Sequence, residues 1–194
     1  MLLTTKHQTP NTKPQMLEAL ITSKTRIKLM LKFFLNSTST SYLRGLASEF
    51  GESTNSVRPE LNRFEEAGLL TSSTDGMKKV FKANTRHPLF SDINRLVRKY
   101  VGMDELIDNV IGNLGDPKEV YLIGDLARGI DSPDLNMIIV GEDIDLSYLE
   151  TLVAKAQKII SRKIGYAVFT TDEFNLQYPH INQEKLLPVW KNTD

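Results

Sequence analysis

Residues 124–136 read GDLARGIDSPDLN and carry the most suggestive chemistry in the chain. Gly124 closes the apolar run Val120 to Ile123, a turn containing Ala127-Arg128-Gly129 follows, and Asp134 leads into a second apolar run, Met137 to Val140. Alternate residues of a strand point the same way, so an Asp-x-Asp pair aims two carboxylates at one spot. Such a pair can hold the metal ions that neutralise a triphosphate. Here the spacing is filled by Asp134 and Asn136, and the residue after Gly124 is Asp125. One of the two carboxylates is therefore an amide, and another acid, Asp125, sits in the turn.

The elements that must position these residues follow from periodicity. The second half reads helix (about 103–113), strand (119–123), turn, strand (135–140), helix (147–161), strand (164–170). Helices alternating with apolar strands predict an α/β unit. In the helix over 147–161, Leu149, Leu152, Val153, Ala156 and Ile160 face inward. Near the C-terminus, Pro188 confines the segment around Trp190 to a sheet edge or a loop.

The first half has a different order. Residues 1–16 are polar with two Pro and predict a loose tail. Ile27, Met30, Leu31 and Phe34 fall at helical spacing within 22–35. The polar run NSTSTS then offers capping residues to a helix with Leu43, Leu46, Ala47 and Phe50 on one face, stopped by Gly51. A third helix has Val57, Leu61 and Phe64 inward and ends at Gly68. Pro59 is best accommodated if Ser56 caps that helix, because a Pro in the first turn lacks only an N–H that is orphaned anyway. Two strand-like runs meet at Asp75-Gly76, a hairpin signal. A helix over 89–100 joins the halves and offers Leu89, Ile93, Leu96 and Val97 to a dimer interface or to packing within the chain.

Composition narrows the classes. Of 194 residues, 40% are hydrophobic and 25% charged, the balance of an ordinary globular protein. With no Cys and three scattered His, disulfides are excluded and a thiolate or imidazole metal site is not expected. The start has no apolar core of signal-peptide length, and the run LMLKFFL is short and broken by Lys32, so no membrane span is expected and the cytoplasm is the expected location. The net charge of zero conceals a split. Residues 1–101 hold 16 Lys and Arg against 8 Asp and Glu, and residues 102–194 hold 8 against 16. A basic half suits a polyanion that the acidic half would repel.

Helix, helix, Gly-containing turn, helix and hairpin is the order of a winged helix-turn-helix. Residues 25–84, with YLRGLASEFGESTNSVRPELNRFEEAGLL and the hairpin after it, resemble the winged-helix regulators, most closely the ArsR-like members. The resemblance implies that the third helix lies in a DNA major groove. Its candidate contacts are Thr54, Asn55, Ser56, Arg58, Asn62 and Arg63, with Lys78, Lys79 and Lys82 of the wing on phosphates. Lys24, Arg26 and Lys28 would add charge.

Residues 103–170 resemble the minimal nucleotidyltransferase fold, whose members carry a Gly-Ser turn, often Ala-Arg-Gly, and Ser-Asp-Ile-Asp entering the second strand. The resemblance implies metal-dependent nucleotide transfer, and the departures count against it. Asp125 replaces the Ser; at an effective dielectric near 20, a carboxylate about 4 Å from a phosphate charge costs ~4 kcal/mol. Asn136 replaces a metal-binding Asp. No acid lies in the apolar part of KIGYAVFTTDEF, and Asp172 and Glu173 follow it, where a helix start favours acids. Asp125, Asp131 and Asp134 offer an alternative carboxylate cluster, although loop acids are more often turn formers.

The expected architecture is thus α+β / α/β: a tail (1–16), a winged helix-turn-helix with a trailing helix (17–101), and a nucleotidyltransferase-like domain (102–194). The expected function is a DNA-binding transcriptional regulator acting on double-stranded DNA as a homodimer, with the second domain a sensor or assembly module. No catalytic residue is expected, Asp125, Asp134 and Asn136 being degenerate positions, and no metal or cofactor. Mg²⁺ and a nucleotide enter only if the degenerate site still binds, through Gly124, Asp125, Arg128 and Asp134; a nucleotide or small molecule is the candidate effector. An active metal-dependent nucleotidyltransferase and an antitoxin-like interaction module are the alternatives.

Overall fold

The computed structural model describes residues 15–160, 162–180 and 186–192. Most of the expected tail lies outside that set, but helix α1 (Gln15–Leu20) already begins at its end and buries Leu17. Helix α2 (Lys24–Met30) is capped by Ser23, whose side chain accepts from the Arg26 N–H at 3.2 Å. It runs on into a wider π turn, Leu31–Leu35. The whole run from Leu29 to Asn36 is buried, so the end of this helix and its π turn are enclosed on all sides, while Lys24 at its start is exposed.

Strand β1 (Thr40–Tyr42) follows, where only capping residues were expected. Its polar residues give no strand signal; it forms because it pairs antiparallel with a strand 40 positions on, Ser41 facing Phe81. Helix α3 (Leu43–Phe50) ends at Gly51 in the left-handed conformation, as a C-cap glycine permits. Helix α4 (Thr54–Glu66) is capped by Ser53, which accepts the Ser56 N–H at 3.2 Å. This corrects the expected start at Ser56. The helical ladder begins at Val57 N–H to Ser53 C=O, so Pro59 lies beyond the first turn and denies the exposed Asn55 its in-helix donor. Pro59→Ala should therefore stabilise the protein by about 1 kcal/mol after allowing for the unfolded-chain entropy a proline removes, read as a rise in melting temperature.

Strands β2 (Leu70–Asp75) and β3 (Lys78–Ala83) form the expected hairpin, and the first sheet has the order β1-β3-β2. Helix α5 (Phe90–Val101) buries Val97 and packs Ile93 and Leu96 partly against the core, leaving Leu89 exposed. Its apolar face is thus spent mostly inside the chain, the second of the two roles offered for it.

Gly102, at φ +82°, breaks α5 from α6 (Met103–Asn109), and a 3-10 turn at Ile111–Asn113 completes the helix expected over 103–113. Strand β4 (Pro117–Ile123), a helical turn α7 (Gly124–Ala127), strand β5 (Asp134–Gly141), helix α8 (Leu146–Ile159), strand β6 (Lys163–Phe169), helix α9 (Thr171–Gln177) and strand β7 (Leu187–Lys191) follow. The second sheet has the order β6-β5-β4-β7, with β5 and β6 parallel and the other pairs antiparallel. Pro188 stands on the edge strand, and Trp190 is half-buried against the core.

The fold is α+β. One hydrophobic cluster runs from Leu17 through Phe33, Val97 and Met103 to Leu135, Leu149 and Ile164, so the two halves share a core. The other face of the second sheet has a smaller cluster, Ile138, Val140 and Phe174, under α9. Among the described residues no helix is long and apolar enough to cross a membrane.

Candidate functional sites

The basic charge of the first half is sorted by position. On α2, Arg26 pairs with the buried Glu60 at 3.0 Å, and Lys28 pairs with Glu52 at 2.6 Å. Lys32 is buried in the π turn and pairs with Glu49 at 2.9 Å. Burial raises the Glu60 carboxyl, but hydrogen bonds from Arg26 and Ser23 and the charges of Arg26 and Arg63 outweigh it and hold the group below its ordinary value. Arg26 and Lys28 are thus neutralised within the chain and do not add to an outer basic face, contrary to expectation. On α4 and the hairpin, Arg63 pairs with Glu60 at 3.1 Å and Lys79 with Glu65 at 2.7 Å.

A second set has no carboxylate partner among the described residues. Arg44, Arg58 and Lys78 are exposed and surround a cleft of about 590 Å³ between α4, the hairpin and the start of α3. Leu43, Leu61 and Phe81 form its floor, Asn62 and Lys79 share its wall, and the Lys78 ammonium stands 4.6 Å over the ring of Tyr42. Of the predicted contacts, Arg58, Asn62, Lys78 and Lys79 come together here. Thr54, Asn55 and Ser56 form the first turn of α4, with Asn55 and Ser56 exposed. Lys82 is exposed on β3, in register with Thr40 and Thr71, and does not line the cleft. Arg44 was missed. Its signal was an exposed guanidinium in the first turn of α3, in a stretch read only for its apolar face. Met77, fully exposed at the hairpin tip, was missed as well.

The GDLARG segment is held from outside its own half. Gly124 has φ +76° and Gly129 φ +74°, both in the left-handed region. A Cβ on Gly129 would lie 2.5 Å from Lys32 Cα and 2.7 Å from the Leu31 carbonyl oxygen. Asn36 Nδ2 donates to Ala127 C=O at 2.9 Å, and Lys32 Nζ donates to Arg128 C=O at 3.1 Å. The turn expected to cradle phosphates is therefore docked on the buried helix of the first half.

The predicted nucleotide contacts fall as follows. Arg128 forms an ion pair with Asp125. Asp134 is exposed at the start of β5, beside Lys163 in register. Asn136 lies between two glycines. Its Nδ2 is 3.7 Å from where Gly124 would carry a Cβ, and its Oδ1 is 2.3 Å from the corresponding point on Gly165, its register neighbour on β6. Gly165, missed in the sequence, is the residue of β6 beside the Asp-x-Asn pair, and it brings no oxygen donor. Glu173 is spent on a capping box, accepting the Thr170 N–H at 2.9 Å while Thr170 Oγ1 accepts the Glu173 N–H.

These residues do not fit a two-metal centre. Asp125 is paired with Arg128, Asn136 is neutral, and Gly165 has no side chain, which leaves Asp134. The alternative cluster of Asp125, Asp131 and Asp134 does not assemble either. Asp131 instead pairs with Arg162 at 2.9 Å and accepts from Tyr100 OH at 3.1 Å. Among the described residues no three His, Asp or Glu side chains are grouped to hold a metal ion.

No family model matches the chain, and no curated protein matches it. A solved toxin–antitoxin with AMP-PNP is similar at 14% identity and TM-score 0.36, over 46% of this chain and 73% of that one. Human N-acetylserotonin methyltransferase in complex with SAM is similar at 13% identity and TM-score 0.28, over 55% of this chain and 36% of that one. Both likenesses are too slight to assign a fold.

Proposed function

We propose that the chain is a DNA-binding transcriptional regulator, with residues 17–101 a winged helix-turn-helix and residues 102–194 a nucleotidyltransferase-like unit that has lost catalysis. The supporting observation is the sorting of charge. Arg26 and Lys28 of α2 and Lys32 of the π turn are neutralised by Glu60, Glu52 and Glu49, whereas Arg44, Arg58 and Lys78 have no carboxylate partner among the described residues and surround one cleft beside α4 and the hairpin. Guanidinium groups and ammonium groups so placed suit phosphate oxygens, and Arg58 and Asn62 present the donors that read base edges. The second domain serves as a sensor or assembly module of a cytoplasmic homodimer.

The experiment is a titration of a fluorescent mixed-sequence duplex at several salt concentrations. Binding that weakens steeply with salt is expected, because each neutralised phosphate adds about 0.9 to the logarithmic slope. Affinity without salt dependence would contradict the reading.

The loss of catalysis has its own test. The double change Asp125→Ser, Asn136→Asp restores two family positions and still leaves no acid on β6 at Gly165. It should release no label from a radiolabelled nucleoside triphosphate with Mg²⁺ above the level of the unmodified chain. Turnover in the double variant would show that the strand geometry alone suffices.

A further inference from the structure

The two edges of the second sheet are unlike. β7 carries Pro188, which lacks a donor, and the charged Lys191. Both devices blunt an edge against pairing. β6 has neither between Gly165 and Phe169, a run of five uncharged residues. Its main chain alternates. Lys163 N–H donates inward to Pro133 C=O at 2.9 Å, so Lys163, Gly165, Ala167 and Phe169 turn their main chain to β5. The intervening residues turn theirs outward. Ile164 N–H is met there by Gln157 Oε1 at 2.8 Å. Tyr166 and Val168 have no main-chain partner on that side among the described residues.

We propose that two copies of this chain pair antiparallel through β6 about a two-fold axis, making one continuous sheet. With Gln157 already occupying Ile164, the register that uses the open groups pairs Tyr166 of one copy with Val168 of the other, each pair exchanging both main-chain bonds. Ala167 then faces its own counterpart on the axis, and Gly165 faces Phe169, small against large. Charge selects this occupant and this direction. Lys163 begins the strand, and the acidic first turn of α9, Asp172 and Glu173, follows its end. Antiparallel self-pairing brings the cation of each copy to the acids of the other, at both ends of the strand at once. A two-fold axis closes the assembly and leaves only the two blunted β7 edges outermost. This interface rests on the homodimer proposed above and gives it a surface; the DNA reading stands apart, so the interface can fail while duplex binding holds.

Sedimentation equilibrium of the full chain tests it, with circular dichroism to confirm folding. The unmodified chain should be dimeric at micromolar concentration. Val168→Pro removes an outward N–H that the monomer does not use, and should give a folded monomer. Ala167→Lys sets like charges face to face on the axis and should weaken association by about a hundredfold. Lys163→Glu should weaken the dimer, and adding Asp172→Lys to it should restore association. A monomeric unmodified chain, a dimer that survives both Val168→Pro and Ala167→Lys, or a charge swap without rescue would overturn the proposal.

Discussion

Gly129→Ala should cost about 3 kcal/mol or more of unfolding free energy, the sum of a left-handed backbone penalty and an overpacked contact. At φ +74° an L side chain is strained wherever it points. Here it also points at a wall, since the added Cβ would lie 2.5 Å from Lys32 Cα and 2.9 Å from the Lys32 carbonyl oxygen. Those neighbours are backbone atoms of a buried helix and cannot swing aside as a side-chain end would. The strain can be relieved only by lifting the GDLARG turn from the π turn, which also breaks the Asn36 and Lys32 bonds to the Ala127 and Arg128 carbonyls. Urea unfolding followed by circular dichroism measures the loss. Gly115 is the control: its φ is +90°, nothing lies within 4 Å of its Cβ position, and Gly115→Ala should show the backbone penalty alone. Equal losses at both positions would mean that the docking of the two halves contributes nothing.

The triple change Arg44→Ala, Arg58→Ala, Lys78→Ala should weaken duplex binding by about 10² or more at moderate salt and reduce the salt slope by roughly 2 to 3, if each side chain neutralises one phosphate. The three residues are exposed and outside the core, so the melting temperature should change little. A matched triple, Arg26→Ala, Lys28→Ala, Lys24→Ala, removes equal formal charge from α2, where Arg26 and Lys28 are already paired with Glu60 and Glu52. It should alter stability more than affinity. The reverse pattern would move the DNA surface to α2.

Local signals carried most of the fold. The Asp75-Gly76 turn, the Gly51 stop and the apolar spacing of α3, α4 and α8 were legible because each rests on neighbours within a few residues. β1 was not, since Thr40 to Tyr42 become a strand only through pairing with β3. The cap of α4 was misplaced because Pro59 was expected in a first turn, whereas the Ser53 hydroxyl and carbonyl set the start despite it. At the degenerate site, the exchanged groups at 125 and 136 could be read directly. That Asn136 fills the space beside Gly165 could not, because strand register is a long-range property. Lys32 shows the same limit. In the sequence it interrupts an apolar run; in the fold it is buried and grips a carbonyl 96 residues away.

Amide hydrogen exchange on the full chain, with and without a saturating duplex at low salt, tests the DNA reading most directly. Added protection should concentrate in Thr54–Arg63 and in the hairpin from Lys78 to Lys82, with residues 124–136 unchanged. Protection that gathers on residues 124–136, or on any face other than α4 and its hairpin, would contradict it.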